Sequence, residues 1–181
     1  MDRLRSSQST GAMTSTQHPT TPPAGVDVSV EDVLKAVAKR SFATLATTSP
    51  AGFPHVAGVL YDTVGSTFYV STILDSRKAR NVAENPRVAL CIPVRRLPVG
   101  PPSSVQLQAT AELLPLDDPR IQALVAAGEL EGVTGHGELE LPGGCFIQIT
   151  PNGRLNTYGL GMSIRQLLKD PFGSGSHVDL R

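Results

Sequence analysis

The strictest alternation in the chain lies at VQLQATAEL, where Val105, Leu107, Ala109 and Ala111 fall on one face and Gln106, Gln108, Thr110 and Glu112 on the other. A period of two marks a half-buried strand. SFATLATT, FPHVAGVLYD and STFYVST alternate less strictly but are rich in β-branched and aromatic residues. Ser49-Pro50-Ala51-Gly52 and Thr63-Val64-Gly65 lie between them with the chemistry of tight turns, so these three strands are expected to form an antiparallel meander. RVALCIPV is a short apolar run closed by proline and reads as a buried strand. CFIQIT, a turn at Pro151-Asn152-Gly153 and RLNTYG continue the series.

Between the strands the period changes. Ser29 stands three residues before Asp32, with Val28 and Val33 at the staple positions, which predicts a capped helix over residues 30–39. SRKARNVAEN reads as a second helix, capped by Ser76 or Asp75 and stopped at Asn85 because Pro86 disfavours helical geometry in the residue before it. Asp118-Pro119 opens a third, with Ile121, Leu124 and Val125 on one side and Gly128 as its stop. A Gly- and Glu-rich stretch then reads as a mobile loop, and MSIRQLLKD as an amphipathic last segment. Residues 95–102, with three prolines and one glycine, read as a loop whose Arg95 and Arg96 either shield a ligand or lie solvated. The fold class is therefore mainly β with peripheral α, six or seven antiparallel strands and three or four short helices. Closure into a barrel, or near closure, removes the exposed edges.

Residues 1–25 are Ser, Thr, Gln, Pro and Gly-rich and bury too little apolar surface to offset ordering, so a disordered arm is expected there. Residues 26–172 form the one domain, and 173–181 a flexible tail. Sixteen basic side chains balance sixteen acidic ones, which leaves no net field for nucleic acid or a membrane surface. No apolar run reaches the roughly 18 residues of a membrane helix, and the two cysteines, Cys91 and Cys145, sit in separate apolar runs without disulfide or zinc spacing. A cytoplasmic protein is expected.

Arg77 and Lys78 open the second helix, where free N–H groups and the macrodipole are already electropositive. Each cation there costs a few tenths to about 1 kcal/mol unless an anion joins it. Either a phosphate accepts bonds from the turn and both side chains, or both side chains bend into solvent. His55, beside Pro54, reads as a hydrogen-bonded structural side chain before a base. His136, among Glu129, Glu131, Glu138 and Glu140, lacks the spacing of a metal site, and no metal is expected. Tyr61 and Tyr158 read as barrel-end packing. No G-x-S-x-G elbow, Walker loop or G-x-G-x-x-G fingerprint is present.

The run FYVSTILDSRKARNVAENPRVAL, with its SRKA and ENPRV, resembles the core signature of the pyridoxamine 5'-phosphate oxidase-like family of flavin-binding split β-barrels. The strand and helix order over residues 42–158 fits as well. The resemblance implies a homodimer holding FMN at the subunit interface and passing hydride to or from a small molecule. Arg77 and Lys78 would hold the phosphate, and Val70 and Ser71 would line the ribityl path. Ala57, Gly58, Val59 and Leu60 would offer backbone to the ring edge, and Ser104, or Gln106 beside it, would reach the flavin. No catalytic side chain is assigned. The chain departs from true pyridoxamine phosphate oxidases in its ending, RLNTYGLGMSIRQLLKD, and in Asp62 where they carry a cation for substrate phosphate; Ala109 stands where the family commonly has Gly. The same fold family includes proteins using the deazaflavin F420 and others binding haem degradation substrates. An F420-dependent reductase and a non-catalytic flavin carrier or sensor are the alternatives.

Overall fold

The computed structural model describes residues 28–95 and 102–180, with Arg95 described in its backbone alone. The expected arm over residues 1–25 and the centre of the 95–102 loop lie outside the described residues.

One sheet organises the chain. Its strands are β1 (Phe42–Thr48), β2 (Pro54–Leu60), β3 (Asp62–Val64), β4 (Thr67–Ile73), β5 (Arg87–Arg95), β6 (Ser103–Pro115), β7 (Gly144–Tyr158) and β8 (Gly175–Asp179). They run antiparallel in the order β2-β1-β5-β6-β7-β4-β3, with β8 added to β7, and curl into a half-barrel. The helices are α1 (Val30–Ala38), α2 (Arg77–Glu84), α3 (Pro119–Ala126), α4 (Glu131–Thr134) and α5 (Ile164–Lys169).

The alternation of β6 is realised as expected: Val105, Leu107, Ala109 and Ala111 are all buried, while Gln106, Gln108, Thr110 and Glu112 face outward. They join Leu45, Phe68, Val70, Leu90, Ile92, Ile147 and Ile149 in the core that fills the curl. The capping box of α1 also forms. Ser29 Oγ accepts the Asp32 N–H at 3.1 Å, Asp32 Oδ2 accepts the Ser29 N–H at 3.3 Å, and the helix buries Val33 and Val37. A second, smaller cluster of Tyr69, Leu114, Ile121, Leu130, Val133 and Phe146 seats α3 and α4 on the sheet.

Several expectations are corrected. The expected meander is two hairpins, β1–β2 and β3–β4, lying at opposite ends of the strand order, because Tyr61 breaks the long FPHVAGVLYD strand. Its ring is drawn inside, edge-on to Phe68 at 5.3 Å, and its hydroxyl donates to the Val37 carbonyl at 2.7 Å. Pro151-Asn152-Gly153 is no turn: β7 runs through it, and the extra residues are absorbed by a register shift opposite Leu107 and Ala109, with Gly153 at φ +93°. The Gly- and Glu-rich stretch is built, not loose, since it carries α4 and a 3-10 turn at Glu138–Glu140. The end of the chain, expected as a tail, pairs along β7 from Arg154↔Asp179 to Tyr158↔Gly175, which satisfies backbone groups that β4 leaves open past Ile149. The strands therefore exceed the expected six or seven and the helices the expected three or four.

The buried phenol of Tyr61 ties β3's approach to the end of α1. Tyr61→Phe should leave the Val37 carbonyl with the Arg40 N–H, at 3.0 Å, as its remaining donor and lower stability by about 0.5–1.5 kcal/mol. Urea denaturation followed by circular dichroism checks this; an unshifted midpoint contradicts it.

Candidate functional site

The residue pattern of α2 fixes what its first turn presents. Ala79, Asn81 and Val82 are buried, so they form the face that packs on β1 and β6. Ser76 is the N-cap, accepting the Ala79 N–H at 3.2 Å, and its oxygen also accepts the Thr72 hydroxyl at 3.1 Å. The end of β4 is thereby locked to the start of α2. Asn81 donates through Nδ2 to Thr47 Oγ1 at 2.9 Å, and Thr47 lies 3.5 Å from His55 Nδ1. His55 thus belongs to a structural cluster joining α2 to the β1–β2 hairpin.

With α2 fixed this way, Lys78 lines a cavity of about 180 Å³ together with Gly58, Val59 and Leu60 of β2, Ser71 of β4, and Val133 and Glu138. The curl of the sheet is what brings the end of β2 to the end of β4. Gly58 matters for its missing side chain, since a Cβ there would come within 2.9 Å of the Phe42 ring. The Lys78 charge also reaches buried Cys145, where it opposes the upward push that burial exerts on the thiol.

Five expected positions therefore meet in one cavity: Gly58, Val59, Leu60, Ser71 and Lys78. The others lie elsewhere. Val70 points into the core at 1% exposure, since its neighbour Ser71 takes the opposite face of β4. Arg77 is exposed and Ala57 half-buried, neither on the cavity wall. Gln106 lies on the outer face of β6, in a groove of about 470 Å³ with Thr44, Ala46, Cys91 and Asn156. Ser104 sits two residues away on the same face and accepts from Gln106 Nε2 at 3.3 Å.

Two wall residues, Val133 and Glu138, were not expected. They arrive because Asp62 fastens their segment to the sheet: its Oδ2 accepts the Val133 N–H at 3.1 Å, and the Gly132 N–H bonds it as well. Gly132 permits that approach, since a Cβ would fall 2.5 Å from Asp62 Oδ1. The Asp62 carboxylate is thus engaged inside the chain, where the sequence had left it facing a substrate. Glu138 Oε2 accepts the His136 N–H at 2.8 Å, and such backbone bonds hold its carboxyl below the usual range. The cavity therefore pairs one cation with one carboxylate, in a wall otherwise of backbone, hydroxyl and aliphatic surface.

The sequence over residues 30–152 matches the family model of pyridoxamine 5'-phosphate oxidase. No curated protein matches the chain. Among solved structures, the heme storage protein HutZ of Vibrio cholerae is similar at 19% identity and a TM-score of 0.63, over 73% of this chain and 96% of that one. A heme binding protein from Mycobacterium smegmatis is similar at 18% identity and a TM-score of 0.66, over 85% of this chain and 59% of that one. A FAD-binding protein from Mesorhizobium loti is similar at 20% identity and a TM-score of 0.55, over 69% of this chain and 89% of that one. At these identities the likeness establishes the shared fold.

Burial raises the Asp62 carboxyl above its ordinary 3.8, with the Val133 and Gly132 N–H groups opposing. A carboxyl that holds its proton more tightly when folded contributes stability that is complete below that ordinary value and is lost as pH climbs through the raised one. Asp62→Asn removes this loss. Denaturation series should show the wild type falling relative to D62N as pH rises from 3.8 towards neutrality; a pH-independent difference contradicts the assignment.

Proposed function

Because the chain belongs to the pyridoxamine 5'-phosphate oxidase family, we propose that it is a cytoplasmic oxidoreductase that holds FMN between two copies of itself and passes hydride to or from a small molecule. The observation that carries this reading is the meeting of Gly58, Val59, Leu60, Ser71 and Lys78 from three elements on one cavity. About 180 Å³ is below the ~300–1,000 Å³ of a pocket that engulfs a whole ligand, so the cavity fits the phosphate end of a long coenzyme. Lys78 and the Ser71 hydroxyl suit that phosphate, and the bare backbone at Gly58 suits the close approach of a flat ring.

The rest of the coenzyme would lie along β2. That strand pairs only with β1 among the described residues, and Phe53 just before it, with Val56 and Leu60 on it, are exposed by 72%, 61% and 50%. An apolar sheet edge of this kind calls for a cover, and a second copy supplies one while completing the site. The bound flavin supplies the hydride chemistry, so the chain needs no acid or base of its own. Two free thiols agree with a reducing compartment, and no helix among the described residues is long and apolar enough to cross a membrane.

F420 is the second coenzyme that this wall admits, because it too presents a phosphate to Lys78. Haem fits the wall less well: its residues offer no His, Cys, Met or Tyr to an iron.

Fluorescence titration of the purified protein with FMN and with F420 tests the reading. One of the two should bind saturably, with Lys78→Ala weakening it at least about tenfold, ~1.4 kcal/mol, and Arg77→Ala weakening it less. Glu138→Gln should tighten it, because a carboxylate beside a phosphate repels it. Uptake of neither coenzyme overturns the proposal; uptake without turnover of reduced coenzyme and acceptor makes the chain a carrier.

A further inference from the structure

The polar side of α1 forms one wall of a second cavity, of about 400 Å³, which shares no residue with the first. Lys39 and Arg40 reach it from the end of the helix, with Asp32, Lys35 and Ala36 behind them. Opposite stand Val94, Ser103, and Leu160 between Gly159 and Gly161. The charges on the helix side are not balanced. Lys35 is matched by Glu31 at 2.7 Å, and Asp32, which accepts the Ser29 hydroxyl at 2.6 Å, keeps its charge but sits in the first turn of the helix, about two turns from Lys39 and Arg40, so three cations face two carboxylates. Lys39 and Arg40 have no carboxylate partner among the described residues.

A cation at a helix C-terminus is favourable in itself, which accounts for Lys39 as the cap of α1. It does not account for Ser103. That side chain is 3% exposed, lines the same cavity, and its hydroxyl finds no hydrogen-bond partner among the described residues. Buried hydroxyls are rarely left so, because the group gives up water for nothing. Two unmatched cations and an unspent buried hydroxyl around one space are the groups that a tetrahedral oxyanion satisfies together. Arg40 supplies a fork, Lys39 a point charge, and Ser103 a neutral donor. Ala36, Val94 and Leu160 add apolar surface to the wall.

We propose that this cavity is a binding site for a small phosphorylated molecule, separate from the coenzyme cavity, with Lys39, Arg40 and Ser103 as its anion contacts. The volume lies within the ~300–1,000 Å³ of pockets that enclose a small ligand, so more than the phosphate is held.

Calorimetric titration with pyrophosphate, at constant ionic strength set with chloride, tests the site in the wild type and in K78A, K39Q/R40Q and S103A. The expected result is saturable binding that survives in K78A, falls at least about tenfold in K39Q/R40Q, and falls several-fold in S103A. If circular dichroism shows that the double variant does not fold, R40Q alone takes its place with the same expectation. Binding lost in K78A would belong to the coenzyme cavity and overturn the proposal, as would undiminished binding in K39Q/R40Q or S103A, or no saturable binding in the wild type. Coenzyme uptake measured on the same variants is expected to follow Lys78 alone, so failure of this site and failure of the flavin reading are told apart.

Discussion

The buried hydrogen bond from Asn81 Nδ2 to Thr47 Oγ1, 2.9 Å long, ties the helix that carries Lys78 to the strand that carries β2 beside it. Both partners are almost inaccessible, at 5% and 2% exposure, so losing the Thr47 hydroxyl strands the Asn81 amide at a cost of about 1–3 kcal/mol. At its other end α2 is held by Ser76, which caps the helix and receives the Thr72 hydroxyl from β4. The two fastenings set the distance between β2, β4 and Lys78 that the candidate cavity requires. Without them a curl of the sheet would bring strands together but would not aim a cation between them.

What was legible in the sequence is what neighbours in sequence decide. The capping box of α1, the Asp118 cap and Pro119 start of α3, the stop of α2 before Pro86 and the alternation of β6 all depend on groups a few residues apart. The elements that depart from the local sequence pattern depend on distant partners. Gly175–Asp179 has no strand signal strong enough by itself, and it is a strand because β7 offers an unpaired edge there. Pro151-Asn152-Gly153 has turn chemistry, but β6 alongside holds the chain extended and the glycine takes up the extra length as a bulge. The 129–143 stretch is polar and glycine-rich, yet Leu130 and Val133 bury themselves against the sheet and the Asp62 carboxylate anchors the turn between them.

The same contrast governs the candidate site. Adjacent residues on a helix point about 100° apart, so a basic pair at its start does not present both side chains equally to one small space. The helix face buried by Ala79 and Val82 decides between them, and Lys78 takes the cavity while Arg77 remains exposed. An analogous alternation on β4 sends Val70 inward and Ser71 to the cavity. The motif leads to the candidate cavity to within a residue or two; the packing periods of α2 and β4 choose which side chains line it. Glu138 carried no signal of its own. Its one trace in the sequence was Gly132, a residue too small to obstruct Asp62, and that is visible only once the two are known to touch.

A cavity with one cation and one carboxylate is a weak trap for an anion, and the chain as a whole adds no field, with sixteen charges of each sign. Strength must then come from area and dryness, because a charge-assisted bond gains most where water is excluded. A single copy does not provide that dryness: the β2 edge beside the cavity is apolar, and Val56 and Leu60 are exposed along it. On the proposed function, affinity for a phosphate-bearing coenzyme would be a property of two chains, with one contributing Lys78 and Ser71 and the other excluding the solvent that would screen them. Dilution that separates two such copies is then expected to release the coenzyme before the fold itself is lost, since the core cluster lies within one chain.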